Sequence, residues 1–584
     1  MMMKKSSARA VNAPPRAIAL GDFPQRIWDQ AHVLLTNRAN LVFVALILTH
    51  LLPIWAFKYF PSQDGPAHFE NANIIREYSQ PDRIAFRAYY VLNQNLTPNW
   101  LGHLVLAGLM SLMPMLVAEK VFLSGYIILL PLSLRYAVSA VRPESAFLSI
   151  LAFPFIYNYL FHMGFYSFAY SLPMFFFFSG YWIKHREQFA LYQTIVLAIL
   201  AALLYFGHIV SMAAAFLAMA WMMIWLILLK FHAQGFKQRF SLHLSWSMLQ
   251  LLRPLYSLVP AIILFAIFFF QTKRYSLPVS WADKPPFGIL LNQFFSLYSL
   301  VSYDRWEIWI SRGVVFLFAA VIVYLLLSQR LTLRLSFWDG FVAVAAIYAI
   351  LYFIGPSEIG GAAYIHDRMG LYPFLVLIIW FAAHSYGRIA RRLIQILAIG
   401  LATILLGLHI VKYAELNNYL EEYLAGTHLI QPNTTLLPIY FSERGDESNT
   451  HPLSMRINFI LNAAGYLSVE RGLVNLGNYE AGQTRYFPTL FRPELNPAAQ
   501  LQYLPLDSAA GELWALPTGI LSYPQRTRGQ IDYVLIWGVR EQDHNKEIPK
   551  FIFTQLQEGY DLIYTSPQRG LMQLYRRKDM SFSP

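Results

Sequence analysis

The feature that most constrains this chain is a succession of apolar runs. The first covers residues 41–57, and others recur at about 101–116, 118–138, 145–161, 164–183, 189–207, 209–230, 253–271, 311–327, 337–354, 370–385 and 393–411. Most approach the ~17–25 residues that a helix needs to cross a bilayer. Backbone inside lipid must satisfy its own N–H and C=O groups, and a helix does so. The expectation is a polytopic α-helical membrane protein. Its 13% charged residues fall well below the ~25% of soluble domains. The formal net charge of +12 does not indicate nucleic acid, because the basic residues gather in short loops between apolar runs, where membrane orientation requires them. Without cysteine, disulfides, zinc-thiolate sites and thiol catalysis are excluded. The first run starts late and no small-residue cleavage site follows it, so it reads as an anchor, not a cleaved signal.

Orientation follows from the loops. Lys4, Lys5, Arg9, Arg16, Arg26 and Arg38 precede the first run and set residues 1–38 in the cytoplasm, with Phe23 to Leu35 as an amphipathic surface helix. Lys184 to Glu187, Lys230 to Arg239, Arg330 to Arg334 and Arg388 to Arg392 belong on that side too. His162, His208 and residues 272–310 and 355–369 are then external. An external Asp64 conflicts with Arg135 and Arg142, which prefer the inside, if two crossings lie between them. Either residues 101–116 do not fully cross or another crossing is split, giving 11–13 transmembrane helices; both odd counts leave the C-terminus outside.

Residues 58–100 read as an external loop with two short helices. Residues 39–411 form the transmembrane domain. Residues 412–584 contain no spanning run; strand-like Leu436 to Tyr440, Asp532 to Trp537, Asp561 to Tyr564 and Leu571 to Tyr575, with a helical Pro549 to Glu558, predict a C-terminal α/β extracytoplasmic domain. The glycines from Gly465 to Gly482 lack the spacing of a phosphate loop.

Two clusters can carry chemistry. In Tyr59-Phe-Pro-Ser-Gln-Asp64-Gly-Pro-Ala-His68-Phe-Glu70, Pro66 suits the first turn of a helix, which sets Asp64 at its N-terminus and His68 one turn on. Asp64 can act as a base or bind a divalent cation there, and His68 can donate to a phosphate or position an acceptor hydroxyl; the alternative is that Asp64 caps the helix while His68 and Glu70 are ordinary interfacial polar groups. The second cluster is Glu358-Ile-Gly-Gly-Ala-Ala-Tyr-Ile-His366-Asp367-Arg368. An arginine at the external mouth of a helix can hold a phosphate through its planar fork, or pair with Asp367 as a flanking residue. His162, Asn158 and His208 are weaker external candidates, as apt to be buried hydrogen-bonding groups as ligands. In the loop 272–310, Lys273, Arg274, Asp283, Lys284, Asp304, Arg305 and Glu307 lie among aromatics, either solvated or docking a lipid head group.

An external Asp in the first loop, paired short helices, the re-entry at Thr97-Pro98-Asn99-Trp100, many spans and an external C-terminal domain together resemble the C-type glycosyltransferase (GT-C) superfamily. Its relatives include protein mannosyltransferases and the bacterial transferase that adds aminoarabinose to lipid A, and the Asp64-Gly-Pro-Ala-His68 loop looks like that of uncharacterised bacterial members. The resemblance covers roughly residues 40–411. It implies that Asp64 is the catalytic or metal-associated carboxylate. The family often has a second acid immediately after it; here that place is Gly65, so paired-carboxylate function falls to Glu70 or is absent. It further implies sugar transfer, with inversion, from a polyprenyl-phosphate donor to an extracytoplasmic acceptor at a bacterial inner membrane. Asp64 would be the base and Arg368 the phosphate binder, aided by His366 or His68. Any cofactor would be a divalent metal cation held by Asp64 and Glu70. Membrane lipids, the donor and the acceptor are the expected partners. Other readings are a surface polysaccharide polymerase or ligase, a transporter, and a non-catalytic scaffold. No internal repeat supports transport.

Overall fold

The computed structural model describes residues 38–187, 189–234, 253–272, 279–282, 284–328, 335–359, 362–445, 452–482, 486–507, 513–539 and 541–580. The expected N-terminal surface helix, Lys273, Arg274, Asp283 and most of the basic loops at 230–239 and 330–334 lie outside the described residues.

The first apolar helix, α1 (Arg38–Ala56), runs across the boundary between two compact units, residues up to Thr49 and from His50 onward. All the later elements belong to the second unit. The first loop contains α2 (Gly65–Glu77), with Pro66 in its first turn, α3 (Ile84–Tyr89) and a short strand β1 (Tyr90–Leu92). α4 (Trp100–Leu112) stops where Met113 turns extended ahead of Pro114, as residues before proline do. Its 13 residues rise about 20 Å, short of the ~30 Å hydrocarbon core. The long α5 (Met115–Val141) follows. The run expected at 145–161 is instead a 3-10 helix, Pro143–Phe155, with Pro154 near its end, and a single turn, Tyr159–His162.

Next come α6 (Tyr166–His185), α7 (Leu191–Gly207), α8 (Ile209–Gln234), α9 (Val259–Thr272), α10 (Phe287–Phe295), α11 (Trp306–Ser328), α12 (Gly340–Ile354), α13 (Ile365–Ala382) and α14 (Arg388–Tyr423). Between them β2 (Val279–Ser280) pairs with β3 (Glu358–Ile359). Among the described residues, seven helices are long and apolar enough to cross a membrane, those at α5, α8, α9, α11, α12, α13 and α14; α1, α4, the 3-10 helix and α7 are shorter apolar segments. The remaining apolar run, α6, is diluted by Tyr166, Ser167, Tyr170, Ser171 and Ser179. α13 is buried almost throughout, so the residues of its first turn are held inside the protein.

α14 continues unbroken past residue 411 to Tyr423 and leads into the sheet-containing region. Strands β4 (Thr435–Tyr440), β5 (Val474–Asn475), β9 (Tyr533–Trp537), β10 (Tyr560–Thr565) and β11 (Met572–Arg577) form a mixed sheet in the order β10-β11-β9-β4-β5. β5, β4 and β9 are parallel, while β9, β11 and β10 are antiparallel. The first loop joins this region: β1 pairs with β6 (Thr489–Phe491), and Ile74, Phe86 and Tyr90 share an apolar core with Leu437, Ile439, Val534, Ile536 and Ile552. Burying such side chains contributes roughly 1.5–3 kcal/mol each, which fixes the first loop against the C-terminal sheet.

Candidate active site

The first loop is also gripped by the turn at His162 and Met163. The backbone N–H groups of Gln63 and Asp64 donate to the carbonyls of His162 and Met163 (3.1 and 2.9 Å). Gly164 closes this contact at φ +83, and a Cβ on it would collide with the Asp64 and Gly65 backbone. On the other side, a Cβ on Gly65 would strike the Ser62 and Tyr166 hydroxyls, which are hydrogen-bonded to each other at 2.9 Å. No side chain fits at position 65 without displacing that pair. This is a physical reason for glycine at position 65.

Asp64 thereby faces a cavity of about 220 Å³ whose wall also includes His68, His208, Tyr364, Arg368 and Tyr479. Asp64 Oδ1 accepts from Asn462 Nδ2 at 2.9 Å, and Tyr479 lines the same cavity. Burial pushes the Asp64 carboxyl up to about 6, against the pull of nearby His68. It is thus ionised at neutral pH yet basic enough to take a proton.

Arg368 stands on the first turn of α13 with its side chain packed over Phe165 and Phe168, 4.7 and 5.1 Å from the ring centres. Its Nε donates to the Ala363 carbonyl (3.1 Å) and Nη1 to His208 Nε2 (2.7 Å). It makes no ion pair among the described residues. The expected pairing with Asp367 is not found: Asp367 instead binds Arg456 at 2.8 Å, and Arg456 is sandwiched between Tyr159 and Tyr298. A guanidinium that is only 4% exposed, with no carboxylate and with N–H groups to spare, is built to receive an anion.

The remaining sequence candidates fall elsewhere. Glu70 is fully buried away from the cavity, where Asn475 Nδ2 donates to it at 2.9 Å; burial raises its carboxyl to about 8, so it is largely protonated at neutral pH. Glu70 does not line the cavity that Asp64 faces. His366 lies beside Asp367 at 3.3 Å, outside the cavity wall. His162 is sealed between Ser302 and Tyr413 (2.7 and 2.5 Å). Asn158 caps the turn at Tyr159, accepting from Phe161 N. Glu358 sits in β3, half-buried at a strand pairing. Glu307 accepts the N–H groups of Ser302, Tyr303 and Asp304, a structural cap and not a lipid-binding charge.

Sequence reasoning missed His103, Asn462, Tyr479 and Glu480. His103 is a lone imidazole inside the apolar α4, and it lies 3.1 Å from both His68 Nδ1 and Glu480 Oε2. Glu480 is 377 residues beyond His103 and sits in a region with no motif. Glu480 is fully buried beside His68 and His103.

No protein-family description matches the sequence, and no curated protein does. Among solved structures, the chain is similar to the apo form of the oligosaccharyltransferase of the archaeon Archaeoglobus fulgidus, with 13% identity, a TM-score of 0.40, and coverage of 85% of this chain and 69% of that one.

Proposed function

We propose that the cavity transfers a sugar from a polyprenyl-phosphate donor to a hydroxyl of an extracytoplasmic acceptor. The supporting observation is the convergence, in one cavity, of a buried carboxylate and a buried guanidinium that has no acid of its own. In this reading Asp64 takes the proton of the acceptor hydroxyl as its oxygen attacks the anomeric carbon. The bond from that carbon to the phosphate oxygen breaks with its electron pair, inverting the carbon. Arg368 holds the departing phosphate, and His208, accepting from Nη1, keeps the guanidinium aimed. The protein supplies position and charge stabilisation and forms no covalent bond itself, which suits groups preorganised by packing. The shortness of α4 leaves α5 as the crossing between Asp64 and Arg142, consistent with an external cavity and a cytoplasmic N-terminal segment.

The test is transfer by the full chain in membrane vesicles, using a panel of radiolabelled polyprenyl-phosphate sugars. The wild type is expected to label an acceptor, and Asp64→Asn to lose that activity while still binding undecaprenyl phosphate. Wild-type transfer by Asp64→Asn would remove it as base, and failure of the wild type to bind undecaprenyl phosphate would remove the donor class.

A further inference from the structure

His68 from α2, His103 from α4 and Glu480 from the segment after β5 meet with their ligand atoms all within 4.8 Å of one another, and all three side chains are buried. Their hydrogen bonding does not close. His103 Nδ1 lies 3.0 Å from the Asn99 carbonyl, which can only accept, so this nitrogen carries the proton and a neutral His103 presents a lone pair at Nε2. Opposite that lone pair stand His68 Nδ1 and Glu480 Oε2, each at 3.1 Å. Oε2 already accepts from Asn71 Nδ2 at 2.8 Å. Oε1 is buried without an aligned hydrogen bond, although His68 Nδ1 is only 2.7 Å away. A neutral ring at His68 brings at most one N–H to this cluster of acceptors. Two ring nitrogens and a buried carboxylate that converge with more lone pairs than protons make a site suited to a cation.

We propose that His68 Nδ1, His103 Nε2 and the Glu480 carboxylate bind one divalent cation of the zinc type. Two imidazoles and a carboxylate are a zinc donor set that leaves a fourth position open, and two nitrogen ligands disfavour magnesium and calcium. Tetrahedral ligands ~2.0–2.1 Å from zinc stand about 3.4 Å apart, so the 3.1 Å between the two imidazole nitrogens and from His103 to Oε2 needs about 0.3 Å of expansion, and the 2.7 Å from His68 to Oε1 about 0.7 Å. The outer partners are in place: Asn99 O fixes the His103 tautomer and Asn71 orients Glu480, roles that metal sites use to set their ligands. The cation would staple the first loop and α4 to the C-terminal region. Tyr479, next to Glu480, lines the cavity that Asp64 faces, so the same staple would hold that wall in place. The metal site goes beyond the transfer reading and is measurable without it.

The experiment uses the full chain in detergent without a polyhistidine tag, stripped with EDTA, desalted, then titrated with Zn²⁺ or Co²⁺. The wild type is expected to retain about one equivalent per chain by elemental analysis and to show the intense visible bands of tetrahedral Co²⁺. Its melting temperature should fall on chelation and recover with zinc but not magnesium. Glu480→Gln and His103→Ala should raise Kd at least ~10-fold. A folded wild type that takes up no zinc and gives no Co²⁺ bands, or a Glu480→Gln variant that binds like wild type, overturns the proposal; in the first case the cluster is an imidazolium–carboxylate pair. If the variants fail to fold, the wild-type titration decides alone.

Discussion

Replacing Arg368 with methionine separates a group kept for function from one kept for stability. Guanidinium has five N–H donors. Two are used, by the Ala363 carbonyl and His208, which leaves three for a ligand. A bidentate grip on phosphate uses two of those, and hydrogen bonds to a charged group contribute roughly 1.5–3 kcal/mol each. The grip is then worth about 3–6 kcal/mol, or roughly 10²–10⁴-fold in kcat/KM at ~1.4 kcal/mol per tenfold. Stability should move the other way. Arg368 is buried without a carboxylate, so an apolar replacement relieves the cost of burying an unpaired charge; the lost stacking on Phe165 and Phe168 offsets about 0.5–2 kcal/mol of that. The expected Arg368→Met variant melts at or above the wild-type temperature and transfers sugar at least ~100-fold more slowly in proteoliposomes at subsaturating donor. Arg368→Lys should keep the charge but lose the fork, falling between the two. A variant that melts well below wild type yet keeps full activity per folded molecule would refute the reasoning, because Arg368 would then be a structural residue.

Other perturbations give distinct outcomes. Asp64→Asn should lower transfer by roughly 10²–10⁴-fold, the range for a lost general base, with an unchanged melting curve. Gly164→Ala should cost about 1–2 kcal/mol for its left-handed backbone and more from the collision with Asp64, seen as a lower melting temperature together with slower transfer. Arg456→Met strands the buried Asp367 carboxylate and should cost about 3–5 kcal/mol; adding Asp367→Asn should recover most of that in a double-mutant cycle. Chelation should lower the wild-type melting temperature and leave Glu480→Gln unaffected.

Much of the architecture was legible because the signals are local. Apolar runs marked nearly every helix, and strand patterns at Leu436 to Tyr440 and Asp532 to Trp537 matched β4 and β9. Run length misjudged helix length at Met113, which turns extended ahead of Pro114, because hydropathy ignores the backbone restriction before proline. The site was half legible. Asp64 and Arg368 stood out as charges at the ends of apolar runs. Tyr479, Glu480 and Asn462 reach the cavity or its neighbouring cluster only because the first loop docks on the C-terminal sheet, a long-range packing event that leaves no periodicity in sequence. His366 and Glu358 looked equivalent to Arg368 by proximity, but the direction each side chain takes from the start of α13 or from β3 separates them.

Everything proposed for transfer requires that one external cavity bring Asp64 and Arg368 to the same lipid phosphate. The chain has no cysteine, so single cysteines at Gln63 and Ala363, which border the cavity beside these two residues, can be probed directly with a membrane-impermeant maleimide in vesicles of both orientations. Both are expected to react from the non-cytoplasmic side, and undecaprenyl phosphate is expected to slow both. Reaction of either from the cytoplasmic side, or protection of neither, would contradict the shared cavity.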